Sequence, residues 1–227
     1  MQELLFAYTQ AADLWHFEQR TGALGYLRIA GVDEAGRGPL AGPVVAAAVI
    51  LPPDCSVVGL NDSKKLTERQ RERLFDEITG AALAVGVGSA PPALIDRINI
   101  LQATRQAMLQ AVTALLPAPD YLLIDGITTI PSPLPQQTIK QGDSRSASIA
   151  AASIIAKVTR DRLMLAYDQQ WPQYGFARHK GYGCAAHLAA IRSHGPCPIH
   201  RTSFRGVREF CGLADAAASW HDPVTLQ

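Results

Sequence analysis

Residues 27–43 have the sequence Leu-Arg-Ile-Ala-Gly-Val-Asp-Glu-Ala-Gly-Arg-Gly-Pro-Leu-Ala-Gly-Pro, and this stretch decides the predicted fold. A mostly apolar run from Leu27 to Val32 predicts a buried strand, which ends at the adjacent carboxylates Asp33 and Glu34. The glycine-rich segment that follows predicts a tight turn. A second apolar run, Val44 to Leu51, is bounded by prolines and predicts a second buried strand. The sequence therefore places two acidic side chains where a strand of a sheet ends.

The composition is that of a folded protein. The 227 residues are 48% apolar and 18% charged, which excludes a disordered or low-complexity chain. The longest apolar run, Pro43 to Pro53, is far shorter than the roughly 18 residues of a membrane-spanning helix. The first residues carry no basic flank, so we expect no signal peptide and no membrane association. Four cysteines without a Cys-x-x-Cys pair favour a reducing cytoplasm over a disulfide framework.

Helical and extended patterns alternate further along the chain, which is typical of an α/β domain with a mixed sheet flanked by helices. The predicted helices are a segment capped by Thr67 that runs to about Thr79, and residues 94–116, 144–167 and 187–193. The further predicted strands are residues 83–87, 121–124 and 136–140. The first 26 residues carry no element signal and predict an extension before the first strand.

The strand at 121–124 also ends in a carboxylate, Asp125, followed by glycine. If this strand lies parallel to the one that ends at Asp33, both side chains meet at one sheet edge, where ligands of α/β proteins commonly bind. A third carboxylate, Asp143, directly precedes the long alanine-rich helix. Clustered carboxylates repel each other unless a cation neutralises them, and sites made only of oxygen ligands suit Mg²⁺ or Mn²⁺. Position alone leaves other roles open: Asp143 as a helix N-cap, Asp125 as a turn residue and Glu34 as a surface charge.

No acidic residue occurs between Ala177 and Arg208, although the net charge of the whole chain is only +1. The basic residues of this stretch are Arg178, Lys180, Arg192, Arg201, Arg205 and Arg208, and aromatic residues lie between them. Such a surface supplies phosphate contacts and stacking for nucleic acid, while a solvated basic face without a ligand is the alternative. The cysteines and histidines here are spaced much as zinc ligands are, but prolines on both sides of Cys197 argue against structural zinc.

Together these segments resemble ribonuclease HII, the bacterial type 2 ribonuclease H. The matching stretches occur in the order of that family from about Leu27 to Leu213, and as an ordered set they are specific although no single one is. They comprise residues 31–43 quoted above, Leu-Asn-Asp-Ser-Lys-Lys-Leu at 60–66, Leu-Ile-Asp-Gly at 123–126, Gly142-Asp143 with Ala-Ala-Ala-Ser-Ile-Ile-Ala-Lys-Val-Thr-Arg-Asp at 150–161, Tyr-Gly-Phe at 174–176 with His-Lys-Gly-Tyr at 179–182, and His-Arg at 200–201 with Ser-Phe at 203–204.

The resemblance implies a ribonuclease H-like fold, with a five-stranded mixed sheet flanked by helices and a C-terminal helical part. It implies divalent-metal-dependent hydrolysis of the RNA strand of RNA–DNA hybrids and cleavage at ribonucleotides embedded in duplex DNA, leaving 3′-hydroxyl and 5′-phosphate ends. The catalytic and metal-binding residues that it implies, with Mg²⁺ or Mn²⁺ as cofactor, are Asp33, Glu34, Asp125 and Asp143. The substrate-binding residues that it implies are Gly36, Arg37, Gly38, Ser63, Lys64, Lys180, Tyr182, His200 and Arg201.

Two of these elements are expected to distinguish RNA from DNA. The Gly-Arg-Gly element at 36–38 resembles a backbone reader of the ribose 2′-OH, because glycine permits a close approach. Tyr182 corresponds to the tyrosine with which the family senses the junction between RNA and DNA. The glycines on both sides of Tyr182 predict an exposed ring rather than a buried core tyrosine.

The resemblance also sets expectations for domains and partners. We expect an N-terminal extension at residues 1–26, a catalytic domain at 27–213 that includes the C-terminal helices, and a tail at 214–227. The expected partners are RNA–DNA hybrid and ribonucleotide-containing DNA, and the protein is expected to be a cytoplasmic monomer. Residues 2–6, Gln-Glu-Leu-Leu-Phe, resemble the peptide by which bacterial replication proteins dock on the sliding clamp, although an amphipathic helix start gives the same pattern.

Three positions depart from the family pattern: Gln141 where many relatives have lysine, Cys184 where many have threonine, and Cys197 where serine is common. Ribonuclease HIII is a related alternative, but it usually carries Gly-Lys-Gly and an N-terminal binding domain for which this N-terminus has no room. A module that binds nucleic acid without cutting it would not need all four carboxylates. A junction resolvase of the same superfold is not expected to share the Gly-Arg-Gly and Lys-Gly-Tyr elements.

Overall fold

The computed structural model describes residues 14–53, 55, 57, 59, 60 and 63–211. Within these residues the α-helices are α1 (His16–Gly22), α2 (Glu68–Ala81), α3 (Pro92–Thr113), α4 (Ala147–Gln170), α5 (Phe176–His179) and α6 (Ala185–His194). The strands are β1 (Ile29–Ala35), β2 (Val44–Ile50), β3 (Ala84–Ala90), β4 (Tyr121–Asp125) and β5 (Gln136–Ile139). Single 3₁₀ turns occur at Ser63–Lys65, Gly142–Ser144, Pro172–Tyr174 and Arg208–Phe210.

The chain divides into two compact units, which are described separately. The first unit contains the described residues up to Ala35, together with Val45–Ser89 and Thr104–Thr159. The second unit contains Gly36–Val44, Ala90–Ala103 and the described chain from Arg160 onward. The clamp-like residues 2–6 and the predicted tail at 214–227 lie outside the described residues. No helix in the described part of the chain is long and apolar enough to cross a membrane.

The strands form one mixed sheet in the order β3-β2-β1-β4-β5, which confirms the predicted five-stranded sheet. β1 pairs antiparallel with β2 and parallel with β4, and β4 pairs parallel with β5. Val32 lies beside Ile124 in this register, so β1 and β4 end at the same edge of the sheet. All residues of β2 are buried, as expected for a strand covered on both faces.

Helix α4 packs on the sheet at backbone distance. A Cβ at Gly31 in β1 would lie 2.1 Å from the carbonyl carbon of Ser148, so only glycine allows this approach. The alanines in the first turns of α4 join Ala47 and Val49 of β2 in one buried cluster. Small residues on both elements therefore bring the helix against the strands that carry the acidic residues.

The predicted elements are present with boundaries that differ by up to three residues, and α1 and α5 were not predicted. Thr67 caps α2 as predicted, with its Oγ1 accepting from the Gln70 N–H at 3.3 Å. The predicted helix α3 contains a kink at Asn99, whose φ is 68°. The alanine-rich helix α4 begins at Ala147 rather than Ser144, because Gly142–Ser144 form a separate 3₁₀ turn. Helix α1 lies in the segment where the sequence predicts no element.

The second unit has its own core, built from short segments. Its buried apolar residues are Leu40, Ala41, Met164, Tyr167, Tyr174, Phe176, Ile191, Ile199 and Val207. Ala41 forms an isolated antiparallel bridge with His200. The N–H of Leu40 donates to the carbonyl of Gly181 at 2.8 Å, and the Leu40 carbonyl accepts from the Arg201 N–H at 2.8 Å. These bonds tie the glycine-rich segment after β1 to the residues around Gly181 and His200.

Candidate active site

Carboxylates come together at the sheet edge where β1 and β4 end. Asp33 and Asp125 directly follow the paired residues Val32 and Ile124 of the two parallel strands. Asp143 lies in the 3₁₀ turn between β5 and α4, and it is buried rather than exposed as a helix N-cap would be. The parallel pairing predicted from the sequence therefore places Asp33 beside Asp125.

The backbone of the 3₁₀ turn is tied to this edge. Oδ1 of Asp125 accepts a hydrogen bond from the Gly142 N–H at 2.6 Å. A Cβ at Gly142 would lie 3.3 Å from the same oxygen and 2.6 Å from Cδ1 of Ile149, so a larger residue would crowd both neighbours. Glycine at this position lets the turn bring Asp143 close to Asp125.

The carboxylates repel each other. Asp33 is only 4% exposed, and burial raises the pKa of its carboxyl well above its ordinary value, with further increases from Glu34 and Asp125. Hydrogen bonds from the Ser153 hydroxyl and the Glu34 N–H oppose this shift only in part. Burial also raises the pKa of Asp125, and the charge of Asp143 adds to that increase. The site therefore holds like charges at close range.

One lysine and a pair of serines support these carboxylates. Nζ of Lys64 lies 3.2 Å from Oδ2 of Asp143, and its side chain is 76% exposed. A pair with one partner in solvent contributes at most about 1 kcal/mol to stability, so Lys64 remains available to a ligand.

Ser63 is buried, and its Oγ lies 2.9 Å from Oγ of Ser153. Ser63 is thus linked to Asp33 through Ser153, and its expected contact with substrate stays a prediction.

This donor set fits a hard divalent cation. Carboxylate oxygens are the ligands that Mg²⁺ and Mn²⁺ prefer, and a cation would offset the repulsion that raises the pKa values of Asp33 and Asp125. Within the described residues, no three acidic, histidine or cysteine side chains already have the spacing of a complete metal site. The shared site for Asp33, Glu34 and Asp125 stays a prediction.

In the second unit, the buried side chain of Arg160 holds the glycine-rich segment at 36–43 by its carbonyl oxygens. Its Nη2 donates to the Ala41 carbonyl at 3.1 Å and its Nε to the Pro43 carbonyl at 3.0 Å. Gly36 has a φ of +93°, and a Cβ there would lie 2.0 Å from Nε of Arg160. Both the backbone conformation and the close approach therefore require glycine at this position.

Arg201 holds the same segment from a second direction. Its guanidinium donates to the carbonyls of Gly36, Arg37 and Gly42 at distances between 2.5 and 3.0 Å. Arg201 is fully buried and binds the backbone of the glycine-rich segment, and its expected contact with substrate stays a prediction. The side chain of Arg37 is exposed, and Gly38 is exposed next to it.

Tyr182 has the exposed ring that the sequence predicts, with 50% of the residue accessible. A Cβ at Gly38 would lie 3.7 Å from Cε1 of this ring, so Gly38 and Tyr182 are in van der Waals proximity. Lys180 and Gly181 have φ values of 50° and 83°, which form the turn that presents Tyr182. Nζ of Lys180 donates to the Ala177 carbonyl at 2.8 Å, and the residue is half-buried.

His200 is also buried, and its expected contact with substrate stays a prediction. Only 2% of the residue is exposed. Its Nε2 lies 3.0 Å from Nε2 of His187, and its Nδ1 accepts from the Cys197 N–H at 2.9 Å. Both ring nitrogens are therefore engaged inside the second unit.

Sequence reasoning missed the roles of three residues. Ser153 and Arg160 lie two helical turns apart on α4, and that spacing is the signal for a shared face. His187 lies on an apolar helical face, and a buried polar side chain there requires a hydrogen-bond partner. That partner is His200, which is 13 residues away and in a different segment, so the sequence did not indicate the pair.

Comparisons with known proteins agree on one family. The family model for ribonuclease HII matches residues 30–207. A ribonuclease HII from Geobacter metallireducens is 68% identical over 196 residues, which cover 86% of this chain and 92% of that protein. The crystal structure of ribonuclease H2 from Pyrococcus horikoshii is similar with a TM-score of 0.68 and 27% identity, covering 81% of this chain and 96% of that one. The ribonuclease HII of a PCNA complex from Archaeoglobus fulgidus gives a TM-score of 0.68 with 26% identity over 79% and 96% of the two chains.

The charge of Asp33 is expected to lower stability at neutral pH. A carboxyl whose pKa is raised by folding contributes most at acid pH, and its contribution is lost as pH rises from the unfolded toward the folded pKa. We therefore expect Asp33→Asn to increase the free energy of unfolding at pH 7, and to increase it less near pH 4. Urea unfolding at both pH values, without added divalent metal, measures the effect. Asp76→Asn, on the exposed face of α2, is the matched control and should change little. A loss of stability in Asp33→Asn at pH 7 would contradict the prediction.

Proposed function

This chain belongs to the ribonuclease HII family, which makes it a metal-dependent endoribonuclease that acts on RNA–DNA hybrids, and we propose that it also cuts at single ribonucleotides embedded in duplex DNA. We propose further that the products carry 3′-hydroxyl and 5′-phosphate ends. The matching family model is that of ribonuclease HII, which favours this family over ribonuclease HIII. We assign the activity to residues 27–213 of a single chain, which acts as a monomer in the cytoplasm.

The observation that carries the proposal is the carboxylate cluster at the ends of β1 and β4. Asp125 adds to the raised pKa of Asp33, Asp143 adds to that of Asp125, and Glu34 is the immediate neighbour of Asp33. Such repulsion has no structural benefit, so its presence in a buried site supports a role in binding cations. A module that only binds nucleic acid would gain nothing from these negative charges beside a phosphate backbone.

We propose that Asp33, Glu34, Asp125 and Asp143 hold Mg²⁺ or Mn²⁺. When bound, two such ions supply Lewis-acid stabilisation of the attacking and leaving oxygens of a phosphodiester. The chain itself orients the carboxylates: Ser153 and the Glu34 N–H fix Asp33, and the Gly142 N–H fixes Asp125. Lys64, exposed beside Asp143, can contact a phosphate of the bound strand.

The recognition of RNA is assigned to the glycine-rich segment and Tyr182. The strands of a hybrid differ at the ribose 2′-OH, so discrimination requires groups that contact that hydroxyl or the neighbouring sugar. Gly36 and Gly38 let the backbone approach a ribose, and the exposed side chain of Arg37 can contact a phosphate. The half-exposed ring of Tyr182, next to Gly38, is suited to pack against the deoxyribose that follows an embedded ribonucleotide.

The direct test is a cleavage assay on duplex DNA with one embedded ribonucleotide and on a continuous RNA–DNA hybrid. We expect cleavage of both substrates with Mg²⁺ or Mn²⁺ and none with a chelator. Asp125→Asn should lower the rate by about a thousandfold or more, because stabilisation by bound cations is worth several kcal/mol, while binding to hybrid persists. Its matched control is Asp76→Asn. Full activity of Asp125→Asn with Mg²⁺ would refute the site assignment.

The substrate preference tests the role of Tyr182. We expect Tyr182→Ala to lower cleavage at the embedded ribonucleotide about tenfold, since an aromatic ring stacked on a nucleotide contributes ~1–3 kcal/mol. Cleavage of the long hybrid should fall much less, because most of its cut sites have no adjacent deoxyribose. Tyr182→Phe keeps the ring and should retain the preference, whereas Arg37→Ala should weaken both activities. Equal losses on both substrates in Tyr182→Ala would replace junction sensing with a general role in binding or folding.

We propose sliding-clamp docking by Gln2–Phe6 as a second property of the chain. Its support is the sequence pattern together with the similarity to a ribonuclease HII solved in complex with PCNA. Titration of a bacterial sliding clamp with the full chain and with a chain lacking residues 1–6 tests the idea. Loss of binding on truncation is expected. Equal binding by both chains, or binding by neither, leaves the amphipathic helix start as the explanation of the pattern.

A further inference from the structure

A chain of hydrogen bonds runs through the core of the second unit and ends at the backbone of Tyr182. Nδ1 of His187 lies 2.9 Å from the Tyr182 carbonyl oxygen. Nε2 of His187 lies 3.0 Å from Nε2 of His200. Nδ1 of His200 lies 2.9 Å from the backbone nitrogen of Cys197. We refer to His187 and His200 with these three bonds as the histidine relay.

The two ends of the histidine relay decide where its protons lie. A carbonyl oxygen can only accept, so the Tyr182 carbonyl requires a proton on Nδ1 of His187. A backbone N–H can only donate, so Cys197 requires a bare Nδ1 on His200. The remaining contact is complete when His200 carries its proton on Nε2 and donates to Nε2 of His187. Each bond then has one proton, and both rings are neutral.

The other contacts of His200 Nδ1 are compatible with this arrangement. The carbonyl oxygen of Cys197 lies 3.3 Å from Nδ1, but it already accepts from the His200 backbone N–H at 2.9 Å. Sγ of Cys197 lies 3.1 Å from Nδ1, and its thiol proton can only add a donor to the bare nitrogen. Burial raises the pKa of that thiol to about 12, so it remains protonated and acts as a donor.

The surroundings keep both rings neutral. His187 is fully buried and His200 is 2% exposed. Burial lowers the pKa of His187 to about 4 and that of His200 to about 3, and each is lowered further by a neighbouring histidine. The ring of His179 is stacked on His187 with centroids 4.4 Å apart, and the ring of Tyr174 meets His200 edge-on at 4.9 Å. No charged group is needed to hold this arrangement.

The far end of the histidine relay sets the position of one exposed ring. The Tyr182 carbonyl accepts from His187 and from the Cys184 N–H at 2.9 Å, and the Tyr182 N–H donates to the His179 carbonyl at 2.9 Å. These hydrogen bonds thus fix the peptide groups on both sides of Tyr182. Its ring, in contrast, is half exposed above Gly38. The backbone is rigid where the side chain is free to meet a ligand.

We propose that His187 and His200 are positioning residues for Tyr182, and that they set the place of its ring above Gly38. The proposal rests on the role of Tyr182 in the proposed function. A purely structural pair would be replaced at little cost by apolar residues of the same shape, whereas this pair accepts the cost of desolvating two imidazoles to direct one N–H at one carbonyl.

The proton arrangement can be measured without any substrate. Long-range ¹H–¹⁵N spectra of the intact protein at pH 7 distinguish the two neutral imidazole tautomers and the cation. We expect His187 as the neutral Nδ1–H form and His200 as the neutral Nε2–H form. A protonated ring at either position, or the opposite tautomer of either residue, would overturn the relay. This outcome does not depend on whether Tyr182 senses a junction.

The functional arm compares substitutions that keep or remove single donors. His187→Phe keeps the ring shape but removes the donor to the Tyr182 carbonyl, and we expect about a tenfold lower kcat at an embedded ribonucleotide, since misplacing a contact group by 1 Å can cost up to about a hundredfold. KM should change little. His187→Asn places an amide N–H where Nδ1 lay and should restore most of the rate. His194→Ala, an exposed histidine of the same helix, is the matched control and should leave the rate unchanged.

A double substitution separates this proposal from the proposed function. If the relay acts only through Tyr182, adding His187→Phe to Tyr182→Ala should lower activity no further than Tyr182→Ala alone. This holds whether Tyr182→Ala affects one substrate or both. Additive losses in the double variant, with all variants folded by circular dichroism, would show that His187 acts elsewhere. Failure of His187→Asn to restore the rate while His187→Phe is impaired would also overturn the proposal.

Discussion

The burial of Asp33 at the end of β1 is the constraint on which the first unit depends. The carboxylate lies beside Asp125 because β1 and β4 are parallel and in a register that a slip of one residue would invert. Gly31 lets α4 approach β1 at backbone distance, and this approach brings Ser153 within reach of Asp33. None of these features removes the repulsion. The fold holds the like charges in place, and stability is given up where a cation is to be bound.

The second unit handles positive charge in a corresponding way. Arg160 and Arg201 are buried, and their N–H groups donate to backbone carbonyls of the glycine-rich segment rather than to carboxylates. Burial lowers the pKa of Arg201 to about 9, which still leaves it charged at neutral pH. Carbonyl dipoles solvate a guanidinium without cancelling its charge. The glycine-rich segment, which is proposed to contact a nucleic acid, therefore has two positive charges beneath it, and these attract the phosphates of the nucleic acid.

The sequence predicted the parts of this protein that have local signals. Apolar runs ending in Asp33 and Asp125 predicted the central strands and, on the condition that these strands are parallel, the acidic edge, because strand ends and turn residues lie next to each other in the chain. The sequence did not reveal the hydrogen-bond partners of residues whose partners lie in distant segments. His200 and Arg201 belong to a basic stretch, which favoured contact with substrate, but their partners at His187 and Gly36–Gly42 are far away in sequence. Composition cannot distinguish a basic side chain that meets solvent from one that holds backbone.

The acidic residues proposed to bind metal and the segment proposed to recognise the ribose are adjacent in the sequence. Ala35 is the last residue of β1, and Gly36, the next residue, begins the glycine-rich segment. No linker separates Asp33 and Glu34 from this segment in the sequence. A one-residue insertion or deletion in the motif would therefore change both the residue that follows Val32 in β1 and the residue that has the positive φ of Gly36. This coupling gives a physical reason for the two functions to occupy one uninterrupted motif, in which Gly36 must also meet the positive φ and the close approach of Arg160.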